Sequence, residues 1–365
     1  MPTFVPGLQL NEAFYREVVK PLLHAEFPGL AYSAALIGYG SDVLGLDTER
    51  STDHGWGPRL WLFLARGDGD TEARLKSIRE MFRQKLPLVF RGYPTNYGRS
   101  PNDSVPVLRA IDAPPVNHEI IIVSLPQYAV YRLGFDPLGE ITVRDWLLTP
   151  TQQLLELTAG AVFHDGLHYL APMRTRLAWY PDAVWRAIMA AQWQRVSQEE
   201  AFIGRCGEVG DELGSAVVAA RLVRDLMRLC FLIERQYAPY SKWLGTAFTR
   251  WLTCGPTLTP IFTAVLTAVD WHTRERHLSA AYEQIAAMHN ALGITPPLTP
   301  NVAPFYGRPF LISRAHRFVE ALQATLPDDP ILRNASMVGA IDQFSDGTDL
   351  HNRRSKNLSL GVLYE

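Results

Sequence analysis

Three residues near the start of the chain have types and spacing suited to phosphate chemistry. Gly40 and Ser41 close a short apolar run, and eleven residues separate them from Asp53. A glycine lets backbone approach a polyphosphate with no side chain in the way. A serine hydroxyl and the amides of the following turn can donate to phosphate oxygens. A carboxylate on a rigid strand edge can hold a Mg²⁺ bound to the same phosphates. Gly40 and Ser41 are therefore the expected nucleotide cradle, and Asp53 an expected metal ligand. The bland reading of the same residues is a Gly-Ser turn after a strand, with Asp53 capping Gly55–Gly57.

Further along, Arg221, Arg224 and Arg228 follow i, i+3, i+7 spacing and share one helix face. Their planar guanidinium forks suit phosphates or carboxylates. A solvated face paired with Asp225, Glu234 or a neighbouring helix explains them equally. Glu208, Asp211 and Glu212 stand at the N-terminus of that helix, where acids complement the dipole. Tyr237, Pro239, Tyr240, Lys242 and Trp243 mark a helix break, where aromatics around a cation could stack a base and pair a phosphate. His54, His164 and His168 read as core or loop residues. His164 and His168 stand four apart, but Gly166 between them argues for a turn.

The elements that must position these residues follow from periodicity. Residues 11–26 place Phe14, Val18, Val19, Leu22 and Leu23 at helical spacing. Ala34–Ile37, Arg59–Ala65 and Glu119–Leu125 read as strands, the last β-branched enough for a buried sheet position. Gly67–Asp70 breaks the second strand, and helical spacing returns over 70–85. Residues 88–116 read as a long irregular loop of the functional kind. After Pro150 the texture turns helical, over 151–160, 181–200, 208–236, 242–252, 257–290 and 313–325, punctuated by Pro and Gly, Gly204 and Gly207 among them. The expected fold class is α+β: a small mixed sheet with flanking helices over 1–145, a larger all-α domain over 146–329, and an irregular segment over 330–365 packed on the body.

The chain has 365 residues and a formal net charge of −2. Near-neutrality removes the basic footprint that long nucleic acid demands, while a local basic patch could still serve a small nucleotide. Cys206, Cys230 and Cys254 are odd in number and form no CxxC pair, so they read as small core residues in a reducing compartment. No stretch approaches the roughly 18 apolar residues of a membrane helix, and the N-terminus turns charged too early for a signal peptide. The expected location is cytoplasmic, with no membrane partner.

The segment Leu36–Leu64, LIGYGSDVLGLDTERSTDHGWGPRLWLFL, resembles the nucleotidyltransferase superfamily that includes kanamycin nucleotidyltransferase and DNA polymerase beta. Its signature is a small hydrophobic-Gly-(Gly/Ser) turn, a similar spacer, then Asp-x-(Asp/Glu) on a strand, with a third carboxylate from a later strand. The resemblance implies Glu119, opening EIIIVSL, as that third acid, so Asp53 and Glu119 become the expected catalytic and metal-holding pair. The runs STDHGWGPRL, LELTAGAVFHD, GEVGDELGSAVVAARLVRDLMRLCFLIERQYAPYSKWLGTAF and HNALGIT are similar to a bacterial family known only as domain of unknown function four-zero-three-seven, thought to belong to that superfamily.

The resemblance implies Mg²⁺-dependent transfer of a nucleoside monophosphate from a nucleoside triphosphate, ATP first, to a hydroxyl of a small molecule. Glu208 or Asp211 would deprotonate the acceptor, and Arg221, Arg224, Arg228 and Lys242 would neutralise the leaving pyrophosphate. One departure stands out: the position two after Asp53 is Gly55, not an acid. Three outcomes stay open. The protein works with one metal, recruits Asp42, Asp47 or Glu49, or has become a nucleotide-binding or protein-binding module without transfer chemistry. A protein-nucleotidylating enzyme of the antitoxin kind, with a protein partner, is a further reading.

Overall fold

The computed structural model describes residues 3–65, 71–99 and 105–365. The breaker expected at Gly67–Asp70 lies outside them. The chain divides into two compact units, Met1–Ile141 with Gln153–Ala178, and Thr142–Gln152 with Trp179–Glu365. The class is α+β, as the residue patterns require.

The first unit is built on a four-stranded mixed sheet. Its strands are β1 (Tyr32–Leu36), β2 (Arg59–Leu64), β3 (Glu119–Ser124) and β4 (Ala161–Asp165), in the order β3-β2-β1-β4. β1 runs antiparallel to β2 and to β4, and β2 runs parallel to β3 with Arg59 opposite Glu119. Side chains alternate between faces along a strand. Leu60, Leu62 and Leu64 with Ile120 and Ile122 therefore enter one core, alongside Phe14, Val19 and Leu23 of the N-terminal helical run 7–26 and Ile78 and Phe82 of the helix Thr71–Lys85. The opposite face carries Arg59, Trp61 and Phe63 with Glu119, Ile121 and Val123.

Several expectations change here. β4 falls within the stretch read as purely helical after Pro150. Its AVFHD run is short and only partly buried, and it becomes a strand because β1 offers a free edge. That pairing draws residues 153–178 into the first unit, so the boundary expected at 145/146 is replaced by a chain that leaves the sheet unit and returns. β3 is an edge strand, not a central one, which explains its alternating burial. The loop expected over 88–116 contains two short ribbons, Val89–Phe90 with Tyr93–Pro94 and Tyr97–Arg99 with Pro106–Leu108.

The second unit is helical. Its principal helices are Asp182–Glu199, Phe202–Glu208, Glu212–Ile233, Ser241–Trp251, Gly255–Thr267, Trp271–Ala291, His316–Gln323 and Pro330–Val338. The single helix expected over 257–290 is two, because Asp270 accepts from the Thr273 amide and starts a new one. The segment 330–365, expected to be irregular, is mostly helical, and Leu332, Ile341 and Tyr364 are buried. Gln343 donates from this segment to the Ile188 carbonyl and to Gln192. Gly204 and Gly207, read as punctuation, lie inside a helix. A Cβ at Gly204 would meet the Phe310 ring at 2.4 Å, and one at Gly207 the Trp271 ring at 2.1 Å. They are glycines because neighbouring aromatics occupy the side-chain space. Gly207→Ala is expected to cost about 1–3 kcal/mol by overpacking, read as a lower urea midpoint with unchanged slope.

Candidate functional site

The end of β1, the turn after it and the start of β2 meet around one buried ion pair. Arg59, 3% exposed, lies against Asp42, 1% exposed. Its Nη2 donates to Asp42 Oδ1 at 2.7 Å and to the Tyr39 carbonyl at 2.8 Å, and its Nε to Asp42 Oδ2 at 3.3 Å. Its amide donates to Asn11 Oδ1 at 2.6 Å, tying β2 to the N-terminal helix. Burial pulls the guanidinium pKa down, and Asp42, with Tyr39 and Tyr97 adding to it, more than offsets this, so the charge is held. The guanidinium also lies 5.0 Å from the Tyr39 ring centroid. Gly40 has φ +127°, and a Cβ there would lie 2.2 Å from Asp42 Oδ1 and 2.4 Å from Arg59 Nη2. The ion pair thus explains this glycine without any phosphate.

Glu119 stands opposite Arg59 in the β2–β3 register and is half-buried. Burial raises its pKa, while Arg59 and Arg99 act to lower it. Tyr97 is buried in the same charge cluster, its pKa pushed well up by burial.

Asp53 falls elsewhere than expected. It ends the 3-10 turn Glu49–Asp53, six residues ahead of the first β2 residue. It is exposed, and its Oδ1 lies 2.8 Å from Nδ1 of its own neighbour His54. Gly55 has φ +60° in the following bend, so residues 53 and 55 do not share a strand face. The same-face positions at the start of β2 belong to Arg59 and Trp61. The reason is the Trp56-Gly57-Pro58 approach to the strand, in which Trp56 donates to Asp47 and Tyr97 donates to the Trp56 carbonyl. Asp47 also accepts from the Gly7 amide, so it holds backbone.

A two-ion site asks for carboxylates converging on one point. Asp42 is spent on Arg59, Asp47 on Gly7 and Trp56. Among the described residues no three His, Cys, Asp or Glu side chains gather as a metal cluster. This donor set does not fit a two-metal centre.

In the second unit the singled-out charges have partners of their own. Arg221 pairs with Glu199, and Arg224 and Arg228 both engage Asp346. Arg228 also donates to the Asp342 carbonyl. Lys242 Nζ lies 5.1 Å from the Trp243 ring centroid. Glu208 pairs with Arg308, Asp211 caps the helix Glu212–Ile233 through the Gly214 amide, and Glu212 engages Arg274. Arg228, Tyr237 and Tyr240 do come together, around a cavity of about 60 Å³ that Asp342, Asp346 and His351 also line. That is far below the ~300 Å³ at which drug-sized ligand pockets begin. Asp165, beside the histidines, accepts from Ser33 Oγ and the Ala171 amide and so anchors the turn after β4.

Arg59 and Trp61 were not picked out in the sequence, because RLWLFL reads as an ordinary strand. The signal available was a charged residue opening a strand whose other positions are apolar.

Glu119 supplies a pH prediction. Its folded pKa lies above the ordinary 4.5, so ionising it lowers stability as pH rises through that value. Glu119→Gln should therefore raise Tm near neutral pH, with the gain fading below about pH 4, where both side chains are neutral. Thermal melts of both proteins across that range check it.

No described helix is long and apolar enough to cross a membrane. No curated protein matches the chain. Among solved structures, the crystal structure of a nucleotidyltransferase-like protein from Exiguobacterium sibiricum 255-15 is similar at 10% identity and a TM-score of 0.31, over 86% of this chain and 89% of that one. Residues 146–244 match the family described as Domain of unknown function (DUF4037).

Proposed function

We propose that the first unit is a nucleotide-binding module of the nucleotidyltransferase type that has lost two-metal transfer. The reading starts from the Gly-Ser turn and spacer that resemble that superfamily. One observation carries the loss of transfer: a cation, Arg59, occupies the first position of β2 opposite Glu119 and consumes the buried acid Asp42. Two-metal catalysis works by surrounding two cations with carboxylates, and a guanidinium at that point opposes them.

A second reading keeps transfer alive with a single Mg²⁺ shared by Asp53 and Glu119, ATP as donor, and a small-molecule or protein hydroxyl as acceptor. What favours it is that the Asp53 carboxylate is exposed and held only by its neighbour His54 in the contacts described above.

The two readings part on Mg²⁺. Titration of the full chain with ATP should give binding that persists in EDTA, with no pyrophosphate release above a no-protein blank. Mg²⁺-dependent pyrophosphate release that disappears in both Asp53→Asn and Glu119→Gln would establish the second reading instead.

A further inference from the structure

The sheet face opposite the core holds a feature that the ion pair does not account for. The helix Leu125–Leu133 folds back over β2 and β3, and Tyr128 packs on Trp61 and Phe63 with ring centroids 4.5 and 5.5 Å apart. Beside this contact an open pocket of about 480 Å³ remains, lined by Tyr39, Trp61, Ile121, Tyr128 and Tyr131. Its size falls within the ~300–1,000 Å³ of small-molecule sites. Four of the ten lining residues are aromatic, and two tyrosines are unusually open: Tyr131 is 80% exposed and Tyr39 45%.

One polar atom of a lining residue lacks a partner: Trp61 Nε1 is buried and makes no hydrogen bond within the protein. A buried donor is normally satisfied, and leaving it without a partner is unfavourable. Gly38 completes the site. A Cβ there would come within 3.3 Å of both Trp61 Nε1 and Tyr128 Oη, so a side chain would crowd this donor.

The cation lining the pocket is already engaged: Arg132 pairs with Glu156. The carboxylate of Glu156 therefore stands beside the lining, where it repels phosphate.

We infer that this pocket takes a planar heteroaromatic ring with hydrogen-bond acceptors on its edge, the base of a nucleoside, and that base burial rather than phosphate contact supplies the affinity. Flat rings stack on aromatic walls whatever their sequence of edge atoms. An acceptor on the ring edge would satisfy Trp61 Nε1. This inference rests on the nucleotide-binding reading above and adds which part of the ligand is held.

The test is calorimetric titration of the full chain with adenosine, guanosine, cytidine, uridine, ATP and inorganic tripolyphosphate, each with and without Mg²⁺. At least one nucleoside should bind, and if it is adenosine, ATP should bind within about threefold of it, with tripolyphosphate silent and Mg²⁺ without effect. Trp61→Phe keeps a ring and removes the donor, and should weaken the nucleoside by about fivefold or more. Tyr131→Ala changes an exposed side chain, so it decides the matter even where the Trp61 variant fails to fold, and should weaken binding by a similar factor. ATP binding that tripolyphosphate competes away, with nucleosides silent, would overturn the inference and leave the nucleotide-binding reading standing. Nucleoside binding untouched by both variants overturns the inference likewise. Silence of every ligand overturns both.

Discussion

The buried pair between Arg59 and Asp42 is the constraint on which the sheet unit is organised. A guanidinium and a carboxylate this deep compensate each other, and removing either partner would strand a charge that burial penalises severely. The pair joins the turn after β1 to the first residue of β2. Through the Asn11 contact to the Arg59 amide it also reaches the N-terminal helix. Gly40 has no side chain because the pair fills that volume. The β2–β3 register then follows, with Glu119 set opposite a fixed cation. The geometry that resembles a phosphate cradle is thus held by internal electrostatics.

The two faces of the sheet divide the work. One is leucine and isoleucine packed on helices, a face with no polar demand. The other carries charge at one end and aromatic rings along its length, and its covering helix leaves a pocket beside them. A face that keeps an unsatisfied donor, Trp61 Nε1, and a half-buried carboxylate departs from the rule that interiors satisfy their polar groups. Such departures concentrate where ligands bind.

In the helical unit the singled-out charges belong to internal networks: Arg195 pairs with Asp225, Gln192 donates to Asp225, and Gln343 donates to Gln192. Arg224 and Arg228 share Asp346. Glu200, buried, accepts from Ser313 and the Ala315 amide. The arginine stripe that looked suited to phosphate is part of this internal scaffolding, the alternative left open from its spacing.

Local pattern determined much of this protein. Short apolar and β-branched runs placed β1, β2 and β3, and helical spacing placed most helices to within a few residues, because burial imposes those patterns directly on the chain. Caps such as Asp211 were legible as acids at a helix start. Only the tertiary structure decided the partners. Arg59 meets Asp42 from 17 residues away, and Arg224 meets Asp346 from 122 away. No periodicity encodes which of 37 acidic residues a given arginine will find. The same holds for β4, a weak strand made by a neighbour's free edge, and for Asp53, carried off the strand by the turn that precedes it. Hydrophobic period is a property of a segment, whereas charge pairing, strand recruitment and pocket shape are properties of segments brought together by folding.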